Sequence, residues 1–368
     1  MRVLFAGGGT AGHINPALAI AGYIGEKHKN TEVLFVGTEE GLETSIIPES
    51  GYKLELIKIH GFQRKIGLET AKTLMELPSA VRASKKIIKS FKPDIVIGTG
   101  GYVCGPVLYA AAKLKIPTFV HESNAFPGVT IKILAKYVDK VAVGIKKAME
   151  LLPNSNNVIF TGSPIRPGIL ELTKSEARKK LYIDDRPYIV IFGGSLGARD
   201  FNASMIDWIC KIKDLHKYKV IMATGKNNQY ETAIKRLKNN GFIAENYPEI
   251  TISEYIYDMD VHMNAADIVV SRAGASTLAE LTAIGKPSIL VPSPYVTDNH
   301  QEFNARAVEA VGGAKVILEN ELNAEIIDAE ISRIVDNKEV LEKMEKSAET
   351  MGVKNSTDII YNEIMALL

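Results

Sequence analysis

RVLFAGGGTAGH, residues Arg2 to His13, is an apolar run that ends in three glycines and opens a helical stretch with Pro16 near its first turn. A run that is apolar at every position, rather than at alternate ones, predicts a strand buried on both faces of a parallel sheet. Glycine lets the backbone take positive φ and approach a ligand closely, and the free N–H groups of a helix start favour an anion. The loop therefore reads as a candidate ligand cradle, with a dinucleotide site and a ligand-free tight turn as local alternatives. The dinucleotide reading is the weaker one. The acids of TEVLFVGTEEG (Thr31 to Gly41) stand beyond the second strand without the usual context of that motif.

Outward from this stretch, β-branched runs alternate with longer helical ones. TEVLFVG (Thr31 to Gly37), DIVIGTG (Asp94 to Gly100), PTFVHE (Pro117 to Glu122) and KVAVG (Lys140 to Gly144) read as further strands. Asn15 to Lys29 and Ser79 to Phe91 read as helices between them. The pattern then restarts with YIVIFGGS (Tyr188 to Ser195), KVIMATG (Lys219 to Gly225), EITISEYI (Glu249 to Ile256), DIVVSRAG (Asp267 to Gly274) and PSILVPSP (Pro287 to Pro294). Such alternation predicts α/β architecture in two doubly wound domains. The Pro, Gly and Ser residues between Gly162 and Pro167 suit a linker. The expected division is residues 1–163 and 164–349, with a final helix (Ser356 to Leu367) that is free to return to the first domain.

Composition narrows the function. At 368 residues, 46% hydrophobic and 24% charged, the chain has the make-up of a globular protein with two cores. A net charge of +1 gives no reason to expect nucleic acid. Cys104 and Cys210 are the only cysteines, too few for a disulfide framework or a zinc site. Met1 leads directly into the first strand, so no signal peptide is expected. No stretch approaches about twenty uninterrupted apolar residues, so membrane contact is expected to be peripheral.

Two further loops share the small-residue chemistry of the first. GGSLGA (Gly193 to Ala198) places a hydroxyl and several amides at a helix start, a plausible diphosphate cradle. In SRAGASTLAE (Ser271 to Glu280) a strand ends in small residues and a helix runs to about Ile284, with Gly285 as its stop. Glu280, one turn in, is placed to accept hydrogen bonds from a ribose diol, or else is a solvated acid on the helix surface. The small residues of Gly98 to Pro106 either admit a second diphosphate or form a tight turn. Asp258-Met259-Asp260 has a metal-binding spacing but falls on a polar segment where it caps the next helix. No protein-bound metal or cofactor is expected.

GGGTAGHINPALA, HESNAFPG, TGSPIR, GGSLGA, SRAGASTLAEL and DNHQEFNA occur in this order. The set resembles the peptidoglycan N-acetylglucosaminyltransferase family (MurG-type) over residues 2 to about 315. The resemblance implies the GT-B fold, two Rossmann-like doubly wound domains facing a central cleft. It also implies inverting transfer of N-acetylglucosamine from UDP-N-acetylglucosamine to the 4-hydroxyl of the muramoyl sugar of undecaprenyl-diphospho-muramoylpentapeptide. Thr10, Ala11 and Gly12 would lie near the donor sugar and diphosphate, and Asn124 would contact sugar. Arg166 and Ser195 match donor-binding positions, and the backbone of Ile256 would meet the uracil. Ala275, Ser276, Thr277, Leu278, Ala279 and Glu280 would cover phosphate and ribose, with Gln301 on the sugar hydroxyls. His13 would handle the acceptor proton or stabilise the diphosphate. Two positions depart from the pattern. Ala11 stands where a glycine is usual, which would strain a left-handed backbone by roughly 1 kcal/mol or more but not a helical one. Ser123 replaces a glutamine.

An inverting transfer needs a base for the acceptor hydroxyl and stabilisation of the departing UDP. His13 is the candidate base, Glu122 a second base or orienting group, and His121 either site wall or strand packing. A lipid-linked acceptor implies peripheral attachment at the cytoplasmic face of an anionic membrane, with cell-wall synthesis proteins as partners. Arg64, Lys65, Lys72, Arg82, Lys85, Lys86 and Lys89, beside Ile66, Leu68, Leu74, Met75, Leu77 and Val81, supply a basic and apolar stretch for it. An amphipathic helix covering the core is the alternative for that stretch. The rival activities are a GT-B transfer to another lipid such as diacylglycerol, and a UDP-N-acetylglucosamine 2-epimerase. A binding module without turnover is the non-enzymatic rival.

Overall fold

The N-terminal run forms β1 (Arg2–Gly7), in which Val3, Leu4, Phe5 and Ala6 are fully buried. The computed structural model describes residues 1–60, 68–153 and 155–368. It divides into one unit of Met1–Ile165 with Asn355–Leu368, and a second of Arg166–Lys354. The other strands of the first unit are β2 (Glu32–Gly37), β3 (Lys53–Leu56), β4 (Ile95–Gly100), β5 (Thr118–Glu122), β6 (Lys140–Val143) and β7 (Val158–Phe160). They pair in parallel throughout, in the order β3-β2-β1-β4-β5-β6-β7. Alternation along β1 splits the core: Leu4 and Ala6 join one apolar cluster, Val3 and Phe5 the other. Helices α1 (Ala11–Lys27), α2 (Glu43–Glu49), α3 (Leu68–Phe91), α4 (Cys104–Lys113) and α5 (Val129–Leu134) complete the layers.

The second unit repeats the plan. Its strands β8 (Tyr188–Phe192), β9 (Lys219–Ala223), β10 (Ile250–Ser253), β11 (Ile268–Ser271), β12 (Ser288–Leu290) and β13 (Ala314–Val316) run parallel in the order β10-β9-β8-β11-β12-β13. Around them lie α6 (Lys174–Lys180), α7 (Arg199–Ile212), α8 (Gln229–Asn239), α9 (Met259–Ala265), α10 (Ala275–Ala283), α11 (His300–Ala310), α12 (Ala324–Val335) and α13 (Lys338–Glu349). Trp208, Phe201 and Tyr218 anchor a core cluster under α7 and α12. In both sheets the strand order reverses beside the first strand, between β1 and β4 and between β8 and β11. The carboxyl ends of those strands are where open α/β sheets bind ligands.

The α/β class and the two doubly wound sheets agree with expectation. The strands not foreseen, β3, β7 and β13, are short and lie at sheet edges; β3 is mostly exposed, so it carries no apolar run to detect. The first helix starts at Ala11, not Asn15, and α3 starts well before Ser79 and contains Pro78. Asp258 occupies the N-cap position of α9 but makes no side-chain cap bond.

The last helix, α14 (Ser356–Met365), packs on α1 in the first unit. Ile360 and Ile364 are fully buried there. His28 Nε2 meets the Tyr361 hydroxyl at 2.7 Å, Tyr23 donates to Asp358, and Lys140 pairs with Glu363.

Candidate functional site

In the first unit, the loop after β1 is shaped by groups that sequence did not single out. Gly9 takes φ +83°, so the chain can turn there from strand into helix. Thr10 is the N-cap of α1 and is exposed; Ala11 and Gly12 begin the helix. Ala11 is therefore helical and unstrained. The His13 and Ile14 amides donate to the Thr10 carbonyl at 3.0 and 3.2 Å, so the helix-start donors are the amides of Ala11 and Gly12. Gly7, Gly9 and Gly12 do carry dinucleotide-type spacing. The Gly9 amide, however, is occupied: it donates to Glu43 Oε2 at 2.7 Å.

His13 lies on the first turn of α1 with Nδ1 2.9 Å from the Gly8 carbonyl oxygen and 3.3 Å from Thr10 Oγ1. Its own carbonyl accepts from Thr99 Oγ1 at 2.7 Å. Gly100, the last residue of β4, packs against the His13 ring and Gly101 against the Gly8 backbone, at φ +109° and +82°. A Cβ on Gly100 would come within 2.5 Å of the imidazole Cδ2, and one on Gly101 within 2.4 Å of the Gly8 oxygen. These glycines thus make room for protein groups of the same loop pair.

The loop after β5 is tied by Glu122, which is 5% exposed. Its Oε1 accepts from the Asn124 amide at 2.9 Å and from Asn124 Nδ2 at 3.0 Å, while Oε2 accepts from the Gly128 amide at 3.0 Å. With both oxygens engaged, the geometry suits an orienting carboxylate for Asn124. His121 is fully buried, bonded through Nε2 to the Gly162 carbonyl at 3.0 Å and through Nδ1 to Ser123 Oγ at 3.2 Å. Burial pushes its pKa down to about 4, so it is a neutral packing residue of the strand. Ser123 thereby has a side-chain role.

In the second unit, the loop after β8 exposes Ser195 and Leu196, with Gly194 and Gly197 at positive φ. Ile256 is 5% exposed, flanked by the exposed Tyr255 and Tyr257 beyond β10. At the head of α10, Ala275, Ser276, Thr277 and Ala279 are partly exposed, whereas the Leu278 side chain is buried and offers a ligand only its backbone. Glu280 is not a solvated acid: it is 8% exposed and paired bidentately with Arg166. Arg166 Nε to Glu280 Oε1 is 2.6 Å and Nη2 to Oε2 is 2.7 Å. Two residues assigned to the donor from separate motifs are thus brought together. The Glu280 hydrogen bonds hold the guanidinium pKa above its usual value.

Gln301 sits in the first turn of α11 and accepts through Oε1 from the Ser293 amide at 2.8 Å. Beneath it lies Arg272, 8% exposed, which donates to the Val291 and Pro292 carbonyls at 3.2 and 3.3 Å and pairs with Glu319. It stitches together the chain ends beyond β11, β12 and β13. Only its place in SRAG hinted at this role. A cavity of about 480 Å³ in this unit is lined by Lys286, Lys174 and Glu345 and reaches the other end of α10, away from these loops.

Of the basic stretch, Arg64, Lys65 and Ile66 lie outside the described residues, as do the side chains of Leu68, Lys72 and Leu74. Leu77 and Val81 pack on the core of the first unit rather than outward. Met75 is 79% exposed, and Arg82, Lys86 and Lys89 are also exposed. Among the described residues no helix is long and apolar enough to cross a membrane.

Residues 3–143 match the glycosyltransferase family 28 N-terminal domain, and residues 188–360 match its C-terminal domain. A protein of Acetivibrio thermocellus named UDP-N-acetylglucosamine--N-acetylmuramyl-(pentapeptide) pyrophosphoryl-undecaprenol N-acetylglucosamine transferase is 49% identical, over 100% of this chain and 98% of its own. Among solved structures, MurG of Acinetobacter baumannii superposes with a TM-score of 0.78 at 24% identity, covering 99% of both chains. The UDP-GlcNAc 2-epimerase of Neisseria meningitidis bound to UDP-GlcNAc gives 0.65 at 16% identity, covering 100% of both. At such identities the structural likenesses show a common fold.

Proposed function

The chain belongs to glycosyltransferase family 28, among its peptidoglycan N-acetylglucosaminyltransferases, and on that premise we propose how it acts. It transfers N-acetylglucosamine from UDP-N-acetylglucosamine to the 4-hydroxyl of the muramoyl sugar of undecaprenyl-diphospho-muramoylpentapeptide. The observation that carries this reading is the 49% identity to a transferase of that name along the whole chain, which spans both units.

The hydroxyl oxygen attacks the anomeric carbon of the donor sugar. The bond from that carbon to the UDP oxygen breaks, UDP leaves with the electron pair, and the hydroxyl proton passes to a base. His13 is that base, with Nε2 as the accepting atom. Asn124, held by Glu122, contacts sugar, and Thr10, Ala11 and Gly12 offer a hydroxyl and helix-start amides. In the second unit Ser195 and the α10 head (Ala275, Ser276, Thr277, Leu278 and Ala279) take the diphosphate, where helix-start amides favour negative charge. Glu280 accepts from the ribose diol, Arg166 neutralises the departing charge, the Ile256 backbone meets uracil, and the Gln301 amide nitrogen donates to the sugar.

Incubation with labelled UDP-N-acetylglucosamine and the lipid acceptor tests the activity. Label should enter the lipid. Label appearing instead in an epimerised sugar nucleotide, or only in diacylglycerol, overturns it. The enzyme reaches its acceptor at an anionic membrane surface on the cytoplasmic side, with Met75, Arg82, Lys86 and Lys89 in the contact. Charge reversal of the three basic residues should weaken binding to anionic vesicles, and unchanged binding rules this contact out.

A further inference from the structure

Glu43 is fully buried, yet it belongs to none of the sequence motifs. Its Oε2 accepts the Gly9 amide at 2.7 Å, and its Oε1 accepts the Thr38 amide at 2.9 Å and Thr38 Oγ1 at 2.8 Å. The loop is built to admit it: a Cβ on Gly8 would lie 2.3 Å from Oε1, and one on Gly41 1.9 Å from Oε2. The Gly9 N–H and the Gly8 C=O are two ends of one planar peptide group and point in opposite directions. On its far side the Gly8 oxygen meets His13 Nδ1 at 2.9 Å. A carbonyl oxygen can only accept, so this contact places the proton on Nδ1 and leaves Nε2 as the basic nitrogen.

We propose that Glu43 is a positioning residue that acts on His13 through the Gly8–Gly9 peptide, holding the imidazole in the Nδ1–H tautomer so that Nε2 is the atom that accepts the proton. The carboxylate pins and polarises the N–H end, and the carbonyl end thereby becomes a fixed and stronger acceptor for the imidazole. The arrangement is a carboxylate–peptide–imidazole relay in place of a direct carboxylate–imidazole contact. It rests on the reading of His13 as the base. Cys104 of α4, buried and pushed up to about 12 by desolvation, lies against Gly98 of the neighbouring β4 strand. From α14, Asp358 and Tyr361 meet the far end of α1, at Tyr23 and His28.

Nitrogen-15 NMR of the histidine-labelled protein, with the His13 signals assigned by their loss in His13→Asn, tests the relay without turnover. Wild type should show the Nδ1–H tautomer, and an Nε2–H tautomer overturns the proposal whatever the variants do. In Glu43→Gln the single amide oxygen accepts from Gly9 or from Thr38 while the NH2 faces the donor of the other, and the tautomers should mix. The kcat should fall about 10-fold, a fraction of what general base catalysis supplies. The KM for UDP-N-acetylglucosamine should stay within about 2-fold, as expected when only a transition-state interaction is lost. A folded Glu43→Gln with wild-type tautomer and kcat defeats the relay. His13→Ala separates the two ideas: if it leaves kcat within a few-fold of wild type, the base assignment fails with it. If it removes activity while Glu43→Gln does nothing, the relay alone fails.

Discussion

Arg166 and Glu280 satisfy each other, at 2.6 and 2.7 Å. A ribose that uses Glu280 must therefore share it with a guanidinium that is already bound. Glu280→Gln should raise the KM for UDP-N-acetylglucosamine by roughly 10- to 100-fold, the worth of a hydrogen bond to a charged group. Its effect should not add to that of Arg166→Ala in a double-mutant cycle. An unchanged KM would remove Glu280 from the donor site. His121 gives a second test. Its folded pKa is about 4 against an ordinary 6.5, so below pH 6.5 the unfolded chain takes up a proton that the folded chain refuses. The stability it contributes is complete above about pH 6.5 and drains as pH falls toward 4. Denaturant titrations should show the gap between wild type and His121→Gln narrowing by about 2 kcal/mol from pH 7 to pH 5; a constant gap contradicts a neutral buried imidazole. The roles of these side chains were only half legible. A motif names Glu280, but its partner at a separation of 114 residues is a tertiary fact, and nothing in GTEEGLET distinguishes Glu43 from Glu39 or Glu40.

At the scale of elements, the central strands were legible because each is apolar at every position, the mark of burial on two faces. The short edge strands lacked that mark. Helix starts were misplaced where glycine and proline conceal them, at Ala11 and ahead of Pro78. The last helix was legible as a helix, but its docking was not, since an apolar stripe states that it packs and not on what. Ile360 and Ile364 settle that, fully buried against α1. Each truncated to Ala should lower the stability of the first unit by about 2 to 5 kcal/mol in chemical denaturation. UDP binding by the folded protein should be unchanged. Losses below about 0.5 kcal/mol would mean that α14 is not part of that core.

Across the whole molecule, each unit has its own sheet and its own buried clusters. The residues proposed for the donor, Arg166, Ser195, Ile256, Glu280 and Gln301, fall in the second unit, and His13 and Asn124 in the first. A ligand that binds only the native second unit adds about 2.7 kcal/mol to its stability at a hundredfold excess over Kd. With UDP, hydrogen exchange should slow mainly in β8 to β13. Equal slowing across β1 to β7 would show that the nucleotide is held by both units. The sequence by itself determined the glycosyltransferase family, the two parallel sheets and the loops at their carboxyl ends, because apolar runs, glycines and ordered motifs are local properties of the chain. Only the tertiary structure decided what those loops hold. The Glu43 carboxylate under Gly9, the Arg166–Glu280 pair, and His121 as packing rather than chemistry all depend on which distant side chains folding brings within hydrogen-bond distance. No local pattern encodes that distance.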